Sequence, residues 1–588
     1  MTLPLPVIHK IPFSRKEIAK IEQELSDDEA KKYLVTYPTV YVVNDKAADK
    51  YSVYIGETAN IKRRTMEHLT NDPVTREDWR AFEASKTSEM FIIGHEHFNK
   101  SLTLDIENRL MHYMSSVPNV SKVTNRRINQ QLDYYTANEM EKIFEKIWHE
   151  LHRENVNLFP VAHAVRESAL FKASPFHKLT EEQLWASDQI IQKIEEALNR
   201  GTEGQLILVD GEAGSGKTVL MSSLFYELDR LSKAESENVV LRGTTHYLLV
   251  NHEQQLTVYS QLAQKLGITN GRQQKLVAKP TSFINSQDED NKVDVVIIDE
   301  AHLLWTQGKQ SYRGTNQLED ILKRARVVVA VFDKHQILSR EQYLDEEQQN
   351  DLIHRANLNG AYIRLKNQLR INASQATIDW IRNLIDKQQV DVIPHDDSYD
   401  LQIVDSPAEL QRMIEERAAD EKNGISRMLA TFDWEYVDNR RPHDDPEQTW
   451  DVVIGDWRVP WNLQIEATNT QKRENRGKAW AEQKQTVGEV GSTFTIQGFD
   501  LNYAGVILGP SVIYRNGKIC FDRTASKNRK ATQQRTLKDG SKKVLSDELL
   551  RNELNVLLTR GVNGLYIYAV DEQLQQVLTS MMENRRSF

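Results

Sequence analysis

Residues 211–218 read GEAGSGKT, directly after the apolar run QLILVD (205–210) and before the helix-like VLMSSLFYEL. A strand, a glycine-rich loop and a helix in that order build a phosphate cradle, because successive loop N–H groups can point at anionic oxygens. Gly211, Gly214, Ser215 and Gly216 would line it, Lys217 would reach the β- and γ-phosphates of ATP, and the Thr218 hydroxyl would ligate Mg2+. A second string, VVIIDEAH, delivers Asp299 and Glu300 to the carboxyl end of an apolar strand, where parallel sheets bind ligands. Asp299 is placed to hold the Mg2+ shell, and Glu300 to polarise an attacking water as general base.

Nearer the N-terminus, Tyr41 and Tyr54 fall in two β-rich runs, TVYVV (39–43) and YSVYIG (51–56). The polar segment between them, with Asn44 and Asp45, makes a hairpin signature. Arg64 and His68 stand one helical turn apart in NIKRRTMEHL, so they share a face, and Asn60 could cap that helix. Glu107 lies in the helical stretch TLDIENRLMHYM and Asn125 in KVTNRR. His95 and His97, flanking Glu96 on a strand, have no further ligand in view and read as surface histidines.

These groups need elements to position them. IAKIEQELSDDEAKKYL gives residues 1–35 the pattern of a helical extension. Helices are expected over 60–70 and 103–115, with a short strand, MFIIGH (90–95), between them, and a charged helix, EMEKIFEKIWHELHRE, follows within 135–157. From about 175 the character changes. HYLLV (246–250), VDVVIID (293–299), RVVVAVFD (326–333), AGVILG (504–509) and GLYIYAV (564–570) join QLILVD as short continuous apolar strands between helices. That pattern predicts parallel sheets covered on both faces, an α/β fold. Stretches 434–448 and 522–543 are poor in apolar residues and read as exposed insertions. The second carries eight Lys or Arg against two Asp; such a run either grips phosphates or stays solvated.

Across 588 residues, 75 Lys and Arg face 85 Asp and Glu, which argues against coating nucleic acid by bulk charge but leaves room for a local basic groove. Cys520 is the one cysteine, so an intrachain disulfide and a cysteine zinc cluster are excluded, and a reducing cytoplasm is the expected home. No run of 18 apolar residues occurs, so no membrane span is expected. Oligomeric state has no signal here; a homo-oligomer is compatible with all of it.

Residues 175–588 resemble the superfamily 1 helicases, and within them the helicase-like domain known as DUF2075 or Schlafen-group-3-like. LTEEQ (179–183) is similar to the adenine-reading Q element, with Gln183 as its glutamine. FDKHQ (332–336) resembles motif III, in which Gln336 would sense the γ-phosphate; Phe332 replaces the usual glycine. NQLRIN (367–372) looks like the motif carrying a first phosphate-contacting arginine, Arg370. STFTIQGFD (492–500) resembles motif V, where Thr493, Gln497 and Gly498 would meet nucleic acid and nucleotide, and NVLLTRGV (555–562) resembles motif VI with the second arginine, Arg560. Arginines on a second lobe would complete the ATP site only on closure.

Residues 39–125 are similar to the GIY-YIG nuclease family. Its name-giving tripeptides stand as Thr39-Val40-Tyr41 and Tyr54-Ile55-Gly56, with Thr39 where the family has glycine; Arg64, His68, Glu107 and Asn125 fall on its remaining positions. The resemblance implies phosphodiester hydrolysis in which Mg2+ on Glu107 would polarise the phosphate, a tyrosine with or without His68 would steer water, and Arg64 would balance transition-state charge. The resemblances imply a helical extension (1–35), a small mixed α+β GIY-YIG-like nuclease domain (36–132), a helical linker (133–174) and two RecA-like P-loop lobes (175–365 and 366–588). They imply an ATP- and Mg2+-using motor coupled to an endonuclease, acting on nucleic acid, DNA ahead of RNA, in defence against foreign DNA or in repair. Two other readings fit the same strings: an ATP-gated nuclease switch that does not translocate, and an ATP-dependent remodeller whose nuclease-like module only binds DNA.

Overall fold

The computed structural model describes residues 3–25, 27–125, 131, 134–211, 214–268, 276–308, 312–366, 368, 370–420, 424–438, 440–442, 445, 448–475, 478–536 and 541–584. Asn367 and Leu369 of the first-arginine motif lie outside them, as do parts of the 434–448 and 522–543 stretches. The chain forms two compact units. One comprises Met1–Glu181, Val219–Gly243 and Val258–Val277; the other comprises Glu182–Thr218, Thr244–Thr257 and Ala278–Phe588.

The first unit is built on a mixed sheet of β1 (Val7–Pro12), β2 (Thr39–Ala47), β3 (Lys50–Thr58), β4 (Glu89–Gly94) and β5 (Val120–Val123), in the order β1-β4-β2-β3-β5. The expected hairpin is β2–β3, and its register sets Tyr41 opposite Gly56 and Val43 opposite Tyr54. Side chains alternate faces along a strand, so both tyrosines emerge on the same side. Helix Ile61–Thr70 follows, with the Asn60 side chain accepting from Arg63 N–H as a cap; helix Lys100–Ser116 is capped likewise by Asn99. Tyr41, Tyr54, Trp79, Met90 and Ile92 belong to one buried cluster on that face.

Two expectations fail in this unit. Residues 1–35 are not wholly helical: they open with β1, which pairs antiparallel with β4, Val7 opposite Gly94 and Pro12 opposite Glu89. The strand gains its ladder from a segment far along the chain, and Pro12 is tolerated at an edge-strand end. Nor do His95 and His97 lie on a strand with both at the surface. They lie just past β4; His95 is buried, its Nδ1 accepting from His97 N–H, while His97 stays partly exposed and pairs with Glu139 at 2.6 Å.

The second unit contains two parallel sheets, as the apolar runs require. The first carries β6 (Gln205–Gly211), β7 (His246–Val250), β8 (Val293–Asp299), β9 (Ala325–Phe332) and β10 (Tyr362–Leu365), with neighbours in the order β10-β6-β9-β8-β7 and parallel ladders throughout these pairs. The second carries β11 (Asp400–Ile403), β12 (Ser426–Ala430), β13 (Val490–Gly491), β14 (Leu501–Leu508) and β15 (Gly561–Ala569), ordered β11-β15-β14-β12-β13 and also parallel. Non-consecutive neighbours mean crossover connections, the mark of doubly wound α/β lobes.

The basic stretch 522–543 is not simply an exposed insertion. Arg535 is buried; its guanidinium donates to the carbonyl oxygens of Arg340 and Tyr343 and, at 3.0 Å, to Thr306 Oγ1. Ala531 is also buried, in a cluster with Ile337, Tyr343 and Leu549. No described helix is long and apolar enough to cross a membrane.

Candidate active sites

In the first unit the residues singled out from the sequence converge. Tyr41 Oη lies 2.7 Å from His68 Nε2, and the Tyr41 and Tyr54 rings stack with centroids 6.1 Å apart. His68 is buried, stacked on Trp79 with centroids 3.6 Å apart and planes 13° from parallel. Gly56 makes the close packing of the tyrosine possible, since a Cβ there would stand 2.5 Å from Tyr41 Cζ. Glu107, buried on its helix, accepts a hydrogen bond from Asn125 Nδ2 at 2.7 Å, and the same amide reaches the Ile55 carbonyl of β3. Asn125 thus ties the acid to the strand that carries Tyr54.

Electrostatics show these groups acting on one another. Burial pushes the Tyr41 phenol well above its ordinary range, reinforced by Tyr54 and Glu107 and opposed by Arg64. Tyr54 moves the same way, burial first, again with Arg64 and Glu107 acting on it. Both tyrosines are therefore neutral near neutral pH. Burial, then the charges of Arg64 and Arg76, push His68 down to about 2, so its imidazole is neutral too. Arg64 pairs with Glu67 at 3.0 Å. Among the described residues no cluster of three or more His, Cys, Asp or Glu forms a metal cage. One carboxylate still fits Mg2+, which retains most of its waters.

In the second unit the glycine-rich loop closes around its lysine. Lys217 Nζ donates to the Gly211 carbonyl at 2.6 Å and lies 3.2 Å from Asp333 Oδ2. Gly214 has φ 92°, and a Cβ there would stand 2.8 Å from Arg370 Cβ, so the loop and the first-arginine motif press backbone to side chain. Gln183 Nε2 reaches the carbonyl oxygens of Ser215 (3.5 Å) and Gly216 (3.3 Å), bracing the loop. Thr218 sits in the first turn of helix Lys217–Leu231. Asp299 ends β8 fully buried, its Oδ1 accepting from Glu300 N–H at 3.1 Å; Glu300 adopts a left-handed backbone, φ 54°, and approaches His302 at 3.2 Å.

Residues further along the second unit lie against this loop. Arg560, wholly buried, donates Nη2 to Gln336 Oε1 at 3.3 Å. Gln336 in turn donates to Asp333 Oδ2 at 2.8 Å, which completes a line from motif VI to the P-loop lysine. Asp500 Oδ1 faces both arginines, 2.7 Å from Arg370 Nε and 3.8 Å from Arg560 Nη1. Gly498 (φ 79°) would clash with Gln255 Nε2 at 2.6 Å if it carried a Cβ, and Gln497 Nε2 reaches the Gln336 carbonyl at 3.4 Å. Burial opposes ionisation of Asp333, but Lys217, His302 and the Gln336 hydrogen bond outweigh it and hold its carboxyl at about 2. Burial, then Arg370, pushes Arg560 down to about 10. Arg370 Nη1 and Arg560 Nη1 are buried and have no hydrogen-bond partner among the described residues. A phosphate suits such a donor pair.

Asp333, Asp500 and Asp72 are not among the residues the sequence motifs single out. The first two stand inside the strings FDKHQ and STFTIQGFD, where an acid among basic residues is the available signal. Asp72 lies one helical turn past His68, the same spacing that separates His68 from Arg64.

The family described as Schlafen group 3, DNA/RNA helicase domain, matches residues 204–571. This chain belongs to that family. A Saccharomyces cerevisiae (strain ATCC 204508 / S288c) protein, YPL245W, is 33% identical over 402 residues, spanning 63% of this chain and 83% of the yeast protein. Overlap with solved structures is shallow. A DEAD box protein from Methanococcus jannaschii aligns at 13% identity over 70% of this chain and 96% of its own, with a TM-score of 0.24. The DUF1998 helicase MrfA, solved with DNA and AMPPNP, aligns at 11% identity over 73% of this chain and 53% of its own, with a TM-score of 0.27. Membership in the family supports an ATP-using, helicase-like domain.

Proposed function

We propose that the chain is an ATP-driven nucleic-acid motor carrying its own metal-dependent endonuclease. In the motor, residues 175–365 and 366–588 act as the two lobes; Gly211, Gly214, Ser215, Gly216 and Lys217 hold the ATP phosphates. Gln183 positions the loop, Thr218 and Asp299 would hold Mg2+, and Glu300 draws the proton from the attacking water. Arg370 and Arg560 neutralise charge that develops on the γ-phosphoryl oxygens, while Gln336 and Gly498 pass the state of that site to the nucleic-acid groove. The family's helicase domain supports nucleic acid as the partner. In the N-terminal module (36–132), Glu107, steadied by Asn125, would hold Mg2+, which when bound polarises the phosphodiester. Tyr41, Tyr54 and His68 orient water, and Arg64 balances the transition-state charge.

One observation carries the nuclease half of this reading: the buried, neutral Tyr41–His68 pair has both partly exposed Arg64 and buried Glu107 acting on Tyr41, the groups a phosphodiesterase needs. Defence against foreign DNA, or repair, is the setting such a fusion suits. The test measures nucleic-acid-stimulated ATPase and Mg2+-dependent cleavage on single-stranded, duplex and forked DNA and RNA for wild type, Lys217→Ala and Glu107→Ala. Lys217→Ala should abolish ATPase, and Glu107→Ala should abolish cleavage while sparing ATPase. Cleavage that survives Glu107→Ala removes the nuclease assignment.

A further inference from the structure

We infer that Asp72 is the outlet of a proton relay, Tyr41–His68–Asp72, serving the phosphodiesterase; the inference rests on the nuclease reading above and deepens it. His68 has both ring nitrogens engaged. Nε2 stands 2.7 Å from Tyr41 Oη, and Nδ1 stands 2.5 Å from Asp72 Oδ2. A neutral imidazole has one donor and one acceptor nitrogen, and a carboxylate can only accept. Nδ1–H therefore donates to Asp72, and Nε2 accepts from the Tyr41 hydroxyl. This fixes the tautomer and the direction of proton flow.

Position makes the third residue necessary. Tyr41 and His68 are both buried, whereas the Asp72 side chain is 22% exposed, so Asp72 is the member that meets solvent. Trp79 stacks flat on His68 and stops the ring from turning to find another acceptor. Arg64 Nη1 stands 4.0 Å from Asp72 Oδ2. The same arginine acts on Tyr41, so one guanidinium faces both ends of the relay.

The water oxygen bonds to phosphorus as the bond from phosphorus to the leaving sugar oxygen breaks. The water proton passes to Tyr41 Oη while the phenol proton crosses to His68 Nε2 and the Nδ1 proton crosses to Asp72. Asp72 releases its proton to solvent, and the leaving oxygen takes one from solvent. Asp72 touches no reacting atom; it is a positioning and proton-accepting residue.

The experiment uses the full chain with Mg2+ and the substrates above, comparing wild type, Asp72→Asn, Asp72→Ala and Glu107→Ala. Asparagine can still accept from Nδ1–H but cannot take the proton. Asp72→Asn should therefore lower kcat for cleavage at least tenfold with KM and ATPase unchanged, and added formate should restore Asp72→Ala several-fold. Nitrogen-15 NMR of labelled histidine, with His68 assigned by its loss in His68→Gln, should show Nδ1 protonated. Wild-type kcat in Asp72→Asn beside an inactive Glu107→Ala overturns the relay and leaves the nuclease standing. Cleavage unaffected by Glu107→Ala, or absent from wild type, overturns both. An Nε2-protonated His68 overturns the relay regardless of activity.

Discussion

Lys217 Nζ stands 3.2 Å from Asp333 Oδ2, so the lysine of the glycine-rich loop is held by the acid of the FDKHQ string. Both side chains are buried, and Gln336 shares the same carboxylate oxygen. On the motor reading proposed above, an incoming phosphate would compete with Asp333 for the lysine, and that competition would link nucleotide occupancy to Gln336 and, through it, to Arg560.

The first prediction concerns acid stability. Asp333 ionises near 2 in the folded chain against an ordinary value of 3.8, so its stabilising contribution is complete above pH 4 and is lost as pH falls through about 2. The shift corresponds to about 2 kcal/mol. Asp333→Asn has no such titration. Acid unfolding followed by circular dichroism should show wild type losing stability more steeply than Asp333→Asn between pH 4 and 2; equal slopes would discount the pair.

The sequence made the P-loop, the acidic strand end and the tyrosine hairpin legible because each is local: a period, a turn or a fixed spacing announces it. What stayed hidden is long-range. Strand Val7–Pro12 forms because distant β4 offers it a ladder, while the helical pattern that follows is realised in helix Arg15–Glu24. Arg535 is buried because carbonyls of Arg340 and Tyr343, nearly 200 residues away in sequence, accept from it; composition shows only its charge. Asp500 shows its use only when Arg370 and Arg560 are both seen facing it.

A second prediction concerns the helix Ser546–Leu558, which grips motif III. Asn552 Nδ2 donates to the Lys334 and Ile337 carbonyls at 3.1 and 2.9 Å, and Asn555 Nδ2 to the His335 carbonyl at 3.0 Å. Asn552→Ala leaves two carbonyls without their donor, a cost of about 1–3 kcal/mol. It should lower the thermal midpoint and reduce nucleic-acid-stimulated ATPase more than basal ATPase. Unchanged stimulation would mean that the helix supports motif III without transmitting its state.

Gly56 gives a third. A Cβ there would overlap Tyr41 Oη, the atom bonded to His68. Gly56→Ala should cost about 1–3 kcal/mol through overpacking and displace the phenol. Cleavage should fall at least tenfold while ATPase stays at the wild-type rate, both read in the same preparation. Full cleavage by Gly56→Ala would show that the position of Tyr41 is not critical.

The last prediction lies in the second lobe, where Glu553 and Asp433 face each other in the interior. Glu553 Oε1 accepts from Phe432 N–H at 2.9 Å, while its Oε2 is buried with no hydrogen-bond partner among the described residues. Burial, then the Asp433 charge, pushes Glu553 up to about 8, and burial raises Asp433 as well. The folded chain thus holds a proton that an unfolded glutamate, with an ordinary value of 4.5, has released. The folded state binds more protons between those values, so stability must fall as pH rises from about 4.5 to about 8 and then level off. The loss is on the order of a few kcal/mol. Glu553→Gln preserves the acceptor oxygen and carries no titrating proton, so its thermal midpoint should match wild type near pH 5 and exceed it at pH 8. Parallel melting curves across that range would show that the carboxyl is ionised in the folded lobe after all.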